Sequence, residues 1–150
     1  MAGITIAPAC AEDVPALQAL LAALFSIEVD FHPDAGRQRR GLELLLADTE
    51  RAVVMTARAA GDVVGMASAQ LVLSTAEGAY SAWIEDVVVA ERCRGRGIGA
   101  LLLTALLDWA RGKGATRAQL LADRTNALAL GFYRHLGWQA TQLGAWRRAL

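Results

Sequence analysis

Two cysteines among 150 residues, Cys10 and Cys93, stand far apart and form no Cys-x-x-Cys pair. That excludes a disulfide framework and points to a reduced, cytoplasmic setting. The two histidines, His32 and His135, stand alone, with no His, Cys or carboxylate at ligand spacing, so no metal is expected. Charge of one sign is missing too. Fifteen basic and fifteen acidic side chains cancel, which argues against a nucleic-acid partner held by bulk charge. No uninterrupted apolar run reaches the roughly 18 residues of a membrane span, and no basic stretch leads into a clean apolar run at the N-terminus; neither membrane attachment nor a secretory signal is expected. Also absent are the Gly-x-Ser-x-Gly elbow and the Walker string. What is present is a globular composition, 55% hydrophobic and 20% charged. A chain of this size buries about two-thirds of its unfolded surface as one domain, residues 1–150. No internal repeat, low-complexity tract or linker interrupts it.

Hydrophobic periodicity divides the chain into alternating elements. Ile4-Thr5-Ile6 reads as a short strand closed by Pro8. Asp13 is a fitting N-cap for a helix whose stripe is Leu17, Leu20, Leu21 and Leu24. His32-Pro33-Asp34 breaks the chain, and a second helix carries Leu42, Leu45 and Leu46 on its buried side. The run Arg37-Gln38-Arg39-Arg40 on that helix reads as a solvated face. Residues 52–57 and 63–73 read as strands joined across Ala60-Gly61-Asp62. After a polar loop at 74–78, residues 80–89 form a third long strand. A helix over 99–111 stops at Gly112-Lys113-Gly114. A strand at 118–121, a helix at 126–136 and two short strands in the tail complete the order βααβββαβαβ.

The richest stretch is Arg94-Gly95-Arg96-Gly97-Ile98-Gly99-Ala100, between the strand ending Val87-Val88-Val89 and the next helix. Glycines let a turn adopt positive φ and keep side chains away. Successive amides then converge on one point, and the helix start adds about half a positive charge. Arg94 and Arg96 add planar donors for phosphate oxygens. The dinucleotide fingerprint Gly-x-Gly-x-x-Gly fails here, because position 100 is Ala. The string does match Gln/Arg-x-x-Gly-x-Gly/Ala as Arg94-x-x-Gly97-x-Gly99. Downstream, Asn126 is followed after six residues by Tyr133 and then by Leu136-Gly137-Trp138.

In that order and spacing the two motifs resemble the GCN5-related N-acetyltransferases, the acetyl-coenzyme A family, strongly over 83–138 and by length and order over the whole chain. The resemblance implies an α/β (α+β) fold: a single three-layer αβα domain with a mixed, twisted, mostly antiparallel sheet splayed at its centre. It implies an acetyl-CoA-dependent enzyme moving an acetyl group to a primary amine of a small molecule or peptide, by direct attack in a ternary complex. Acetyl-CoA is then the co-substrate, its pyrophosphate on the amides of 95–100. The pantetheine arm hydrogen-bonds the backbone of Val87, Val88 and Val89 like an added strand. Asn126 either bonds the pantetheine or caps its own helix, two compatible roles. A homodimer is left open. The alternative is a non-catalytic acyl-CoA-binding module with the same fold.

Acetyl transfer needs a neutral amine and a proton for the departing thiolate. Freeing a lysine-like amine, pKa about 10.4, at pH 7 costs roughly 4.6 kcal/mol. In the family, a Tyr at the place of Tyr133 points its hydroxyl at the coenzyme sulfur, so Tyr133 is the candidate acid; the plainer reading packs it with Phe132 and Trp138. Adjacent in sequence, Phe132 and Tyr133 are expected on different helix faces. Glu85 and Asp86 are the candidate bases or amine anchors, because carboxylates in an otherwise apolar strand are costly unless they serve a purpose. Strand alternation points them to opposite faces. Glu85 is slightly preferred, and Asp86 stays open. The string Ile-Glu-Asp-Val-Val-Val also resembles the glucosamine-phosphate acetyltransferase branch, where such a pair lies by the substrate. Cys93 reads as a small buried hydrophobe rather than an acyl carrier. The acceptor pocket is expected from 25–41 and 74–80, whose acids Glu28, Asp30, Asp34 and Glu77 suit a cationic amine.

Overall fold

A computed structural model describes residues 3–28 and 30–150. The chain divides into two compact units, 1–119 and 120–150. The described elements are β1 (Ile4–Pro8), α1 (Val14–Ile27), α2 (Ala35–Ala47), β2 (Ala52–Ala59), β3 (Asp62–Ser74), β4 (Ala79–Val89), α3 (Ile98–Gly112), β5 (Ala115–Leu120) and α4 (Ala127–His135). The strands form one sheet in the order β1-β2-β3-β4-β5. The first three pairings are antiparallel, and β5 follows β4 through the α3 crossover.

Register fixes which face each side chain takes. Val54 on β2 and Met66 and Val88 on the next strands pack with Leu17, Leu20 and Leu21 of α1 and Leu42 of α2. Thus α1 and α2 cover one face. The opposite face carries Gly65, where an added Cβ would lie 3.2 Å from Leu102 Cδ1 of α3 and 3.5 Å from Ala57 Cβ. Leu102 and Leu106 are fully buried, and Leu71, Ala82 and Ala110 extend this second core. Helices on both faces of the sheet make the three αβα layers.

Several expectations need correction. Asp13 does precede α1, but its carboxylate makes no cap bond to the helix. It accepts the Cys10 N–H at 2.9 Å and pairs with Arg58 at 2.5 Å. A 3-10 turn at Ala11–Asp13 absorbs the entry to the helix instead. Arg37, Arg39 and Arg40 are exposed as read, whereas Gln38 between them is buried. It lies on the stripe with Leu42, four residues on, and so faces inward. The fifth strand begins at Ala115 and ends at Leu120, earlier than its apolar residues alone indicate. The two tail strands do not form: no described residue beyond 135 is in a strand. There the Leu143 N–H donates to the Thr141 hydroxyl at 3.3 Å, and Leu143 and Trp146 are exposed. A strand needs a ladder partner, and among the described residues none pairs with this stretch.

Candidate active site

The strand β4 carries an irregularity where the two carboxylates lie. Ser68 pairs with Glu85 and Met66 with Val88, so the single residue Ala67 faces both Asp86 and Val87. This is a β-bulge, and Asp86 sits in it at φ +57. A left-handed conformation at a non-glycine residue costs on the order of 1 kcal/mol. The bulge also shifts the alternation by one residue along the rest of the strand. Glu85 and Val88, three residues apart, share the α1/α2 face, because the register returns both to partners on that face.

The two carboxylates then differ. Glu85 is exposed and accepts the Trp83 indole N–H at 2.7 Å. Asp86 is half-buried. Burial, then the neighbouring charges of Glu85 and Glu28, push its carboxyl up to about 7. Glu28 directly follows α1, so the end of that helix and the bulge of β4 together build an acidic corner. A carboxyl that titrates near neutrality is one that takes and gives protons at working pH.

Beyond β4, Arg94 Nε donates to the Val89 carbonyl at 3.0 Å, tying the loop to the strand end. Part of Arg94 is therefore committed to the chain, as is the Val89 carbonyl. Gly95 (φ +73) and Gly97 (φ +76) both take the left-handed conformation. Nothing lies within 4 Å of a Cβ built on either, so backbone conformation rather than crowding favours glycine there. Gly97 is the N-cap of α3 and has no side chain to cap it. The first amide bonded back is Leu101 N–H, to the Gly97 carbonyl at 3.2 Å. The amides of Ile98, Gly99 and Ala100 thus begin the helix without intrahelical partners. Arg96 is exposed beside them, while Ile98 is buried and anchors the turn. Of the three valines, Val88 is buried and Val87 and Val89 half-buried; Cys93 is buried, as expected of a small hydrophobe.

In the second unit, Asn126 caps α4: its side-chain oxygen accepts the Ala129 N–H at 3.1 Å. At the other end, Gly137 N–H bonds the Arg134 carbonyl and Trp138 N–H the Tyr133 carbonyl, both at 3.0 Å. With Gly137 at φ +88 this is a Schellman ending. Its hydrophobic contact is the Trp138 ring on Tyr133, 6.1 Å between centroids. The Asn…Tyr…Gly-aromatic spacing is therefore a helix capped at both ends with Tyr133 in its last turn. Contrary to the separate faces expected, the Phe132 and Tyr133 rings touch edge to face at 5.2 Å.

A model of the acetyltransferase (GNAT) family matches residues 17–138. The chain belongs to that family. Aminoglycoside N(6')-acetyltransferase type 1 of Stenotrophomonas maltophilia is 29% identical over 142 residues, 93% of this chain and 91% of that protein. Streptothricin acetyltransferase of Streptomyces lavendulae is 34% identical over 96 residues, 61% of this chain and 46% of that protein. The chain thus spans about half the length of that relative. A solved structure of a possible acetyltransferase from Clostridium difficile 630 superposes with a TM-score of 0.85 at 18% identity, over 98% of this chain and 97% of that one. The GNAT fold is shared at that distance. Of the site, sequence reasoning missed the bulge, whose one outward sign is an acidic pair interrupting an apolar strand, and Trp83, which nothing in its surroundings marks.

Proposed function

We propose that this GNAT protein is an acetyl-CoA-dependent N-acetyltransferase acting on a primary amine of a small molecule, in the cytoplasm, and that Asp86 is its base. The observation that carries this reading is the half-buried carboxyl at a strained bulge, titrating near 7, on the strand that leads into the glycine-capped start of α3. That start fits a pyrophosphate: open amides, positive helix polarity, exposed Arg96 and no acidic residue in the first turn. Bound acetyl-CoA supplies an activated thioester acetyl group.

The chain's own residues do the rest. Amides 98–100 and Arg96 hold the diphosphate, and the backbone of Val87 and Val88 lines the arm. Asp86, ionised above its pKa, draws the proton from the ammonium of the acceptor, directly or through one water. Glu85 and Glu28 add negative charge that attracts that ammonium. Tyr133 supplies the proton to the thiolate, held for the purpose by the two caps of α4. The aminoglycoside and streptothricin relatives support a small-molecule amine as acceptor.

Release of free thiol from acetyl-CoA, measured with a panel of amines, tests the reading. Amine-dependent release with stoichiometric N-acetylated product is expected. Coenzyme binding without release for any amine class would leave a binding module instead.

A further inference from the structure

Within residues 1–119, the α1/α2 face of the sheet is covered only at one end. Toward the β3–β4 hairpin it carries Val72, half exposed, paired across the ladder with Ser81, then Gln70 paired with Trp83. Here the surface opens into a groove of about 350 Å³ whose walls include Val72, Leu73, Ser74, Ser81, Trp83 and Arg117. Its two ends differ in charge. At one, the Trp83 indole N–H is bonded to Glu85, the neighbour of Asp86. At the other stands Arg117. Its Nε donates to Ser81 Oγ at 3.2 Å and its Nη2 to Ser74 Oγ at 3.3 Å. Those two hydroxyls hold the guanidinium in place, and among the described residues no carboxylate forms an ion pair with it. The remaining donors of the guanidinium form a planar fork suited to an oxyanion. Between the ends lie the Trp83 indole and the Val72 side chain, a surface for an apolar or flat body.

We propose that this groove is the far half of the acceptor site, and that it selects an elongated amine whose opposite end carries an oxyanion bound by Arg117. The proposal rests on the acetyltransferase reading, which sets the amine at Asp86. From Ser81 to Asp86 is five residues of strand, roughly 16 Å at about 3.3 Å each and somewhat less through the bulge. Amine and oxyanion are therefore about 13–16 Å apart in the preferred acceptor. A polycation of the kind its relatives' names indicate places a positive group against Arg117, so this chain discriminates against such acceptors.

Tetraglycine spans about 13 Å when extended, and its C-terminal amide differs from it only in the terminal charge. Titration of the full chain with each, followed by NMR without acetyl-CoA, gives two dissociation constants and the signals that move. The acid is expected to bind about tenfold more tightly than the amide, the scale of one charge-assisted hydrogen bond, and to shift the Trp83 indole N–H. Arg117→Gln erases the preference, and Arg117→Lys restores part of it. An aminoalkyl phosphate of equal span separates the two oxyanions: tighter, Arg117-dependent binding names phosphate in place of carboxylate. Equal binding of acid and amide, binding of none of the three, or a preference that survives Arg117→Gln overturns the proposal. Binding with the expected preference but no thiol release from acetyl-CoA would overturn the acetyltransferase reading alone.

Discussion

Asp13 stands at the start of α1, and Asp86 feels the charge of Glu28 at its end; the two carboxylates have opposite surroundings. Asp13 is 6% exposed. Burial opposes its charge, but the Cys10 backbone N–H and Arg58 outweigh burial and hold its carboxyl below the usual range. Asp86 has no such donors among the described residues. Burial and like charges push it the other way, to about 7, on a backbone held at φ +57. The same contrast separates the ends of helices. α2 is capped by Asp34, whose side chain accepts the Arg37 N–H at 3.0 Å, whereas α3 begins at a glycine with its first amides open. Where polar groups are satisfied, the chain is securing its fold. Where they are left open at a cost, we propose that the chain keeps them for a ligand.

The largest effect should come from removing the open carboxylate. Asp86→Asn is expected to lower kcat/KM by about 10²–10⁴-fold, the range of general-base catalysis, with coenzyme affinity unchanged by calorimetry. Glu85→Gln, by contrast, should act mainly on KM, because an exposed carboxylate already bonded to Trp83 attracts the amine without taking its proton. Next, Tyr133→Phe should reduce turnover on the order of 10²-fold with a slow acceptor, while circular dichroism shows α4 intact, since neither of its caps uses the hydroxyl. Gly97→Asp tests the open amides. The position is free of neighbours and Asp tolerates a left-handed conformation, so the variant should fold, yet calorimetry should show acetyl-CoA binding weakened by at least about tenfold.

On the satisfied side the readout changes from activity to stability. Asp13→Asn should cost about 2–3 kcal/mol in urea unfolding, less than a fully buried pair because Arg58 is partly exposed. The activity of the folded fraction should be unaffected. The smallest effect concerns pH. A carboxyl whose folded pKa is raised binds a proton that the unfolded chain has already lost, so its contribution to stability falls as pH rises from about 4 to about 7. Asp86→Asn should therefore stabilise the protein at about pH 8 and have little effect at about pH 4. Asp13 has the reverse sign: its contribution is present above the unfolded pKa and is lost as pH falls through the depressed folded one.

Much of this was legible in the amino-acid sequence because it rests on local chemistry. The leucine stripes of α1 and α2, the hairpin at Ala60-Gly61 and the glycines at 95 and 97 each declare their conformation through side-chain size or its absence. The capped helix Asn126–Trp138 does so too. What was not legible depends on partners distant in sequence. Nothing near Asp13 announces that Arg58 will claim it, 45 residues on. Nothing near Glu85 shows that β3 offers one residue where β4 has two. That mismatch is what favours Asp86 in our proposal: the residues alone leave Glu85 slightly preferred, while the bulge strains Asp86 and burial raises its pKa. The tail failed for the complementary reason, since apolar residues such as Leu143 and Trp146 read as strand only if a partner strand exists.

The central claim is that an unpaired carboxylate in the β4 bulge takes the proton from the amine. It is tested most directly by the pH dependence of kcat/KM for the wild type and Asp86→Asn, with saturating acetyl-CoA and an acceptor slow enough for chemistry to limit the rate. The account predicts a wild-type rate that climbs with pH through an apparent pKa of about 7, and a variant whose low rate lacks that limb. A variant profile with the same limb at the same pH would contradict it and assign the proton transfer elsewhere.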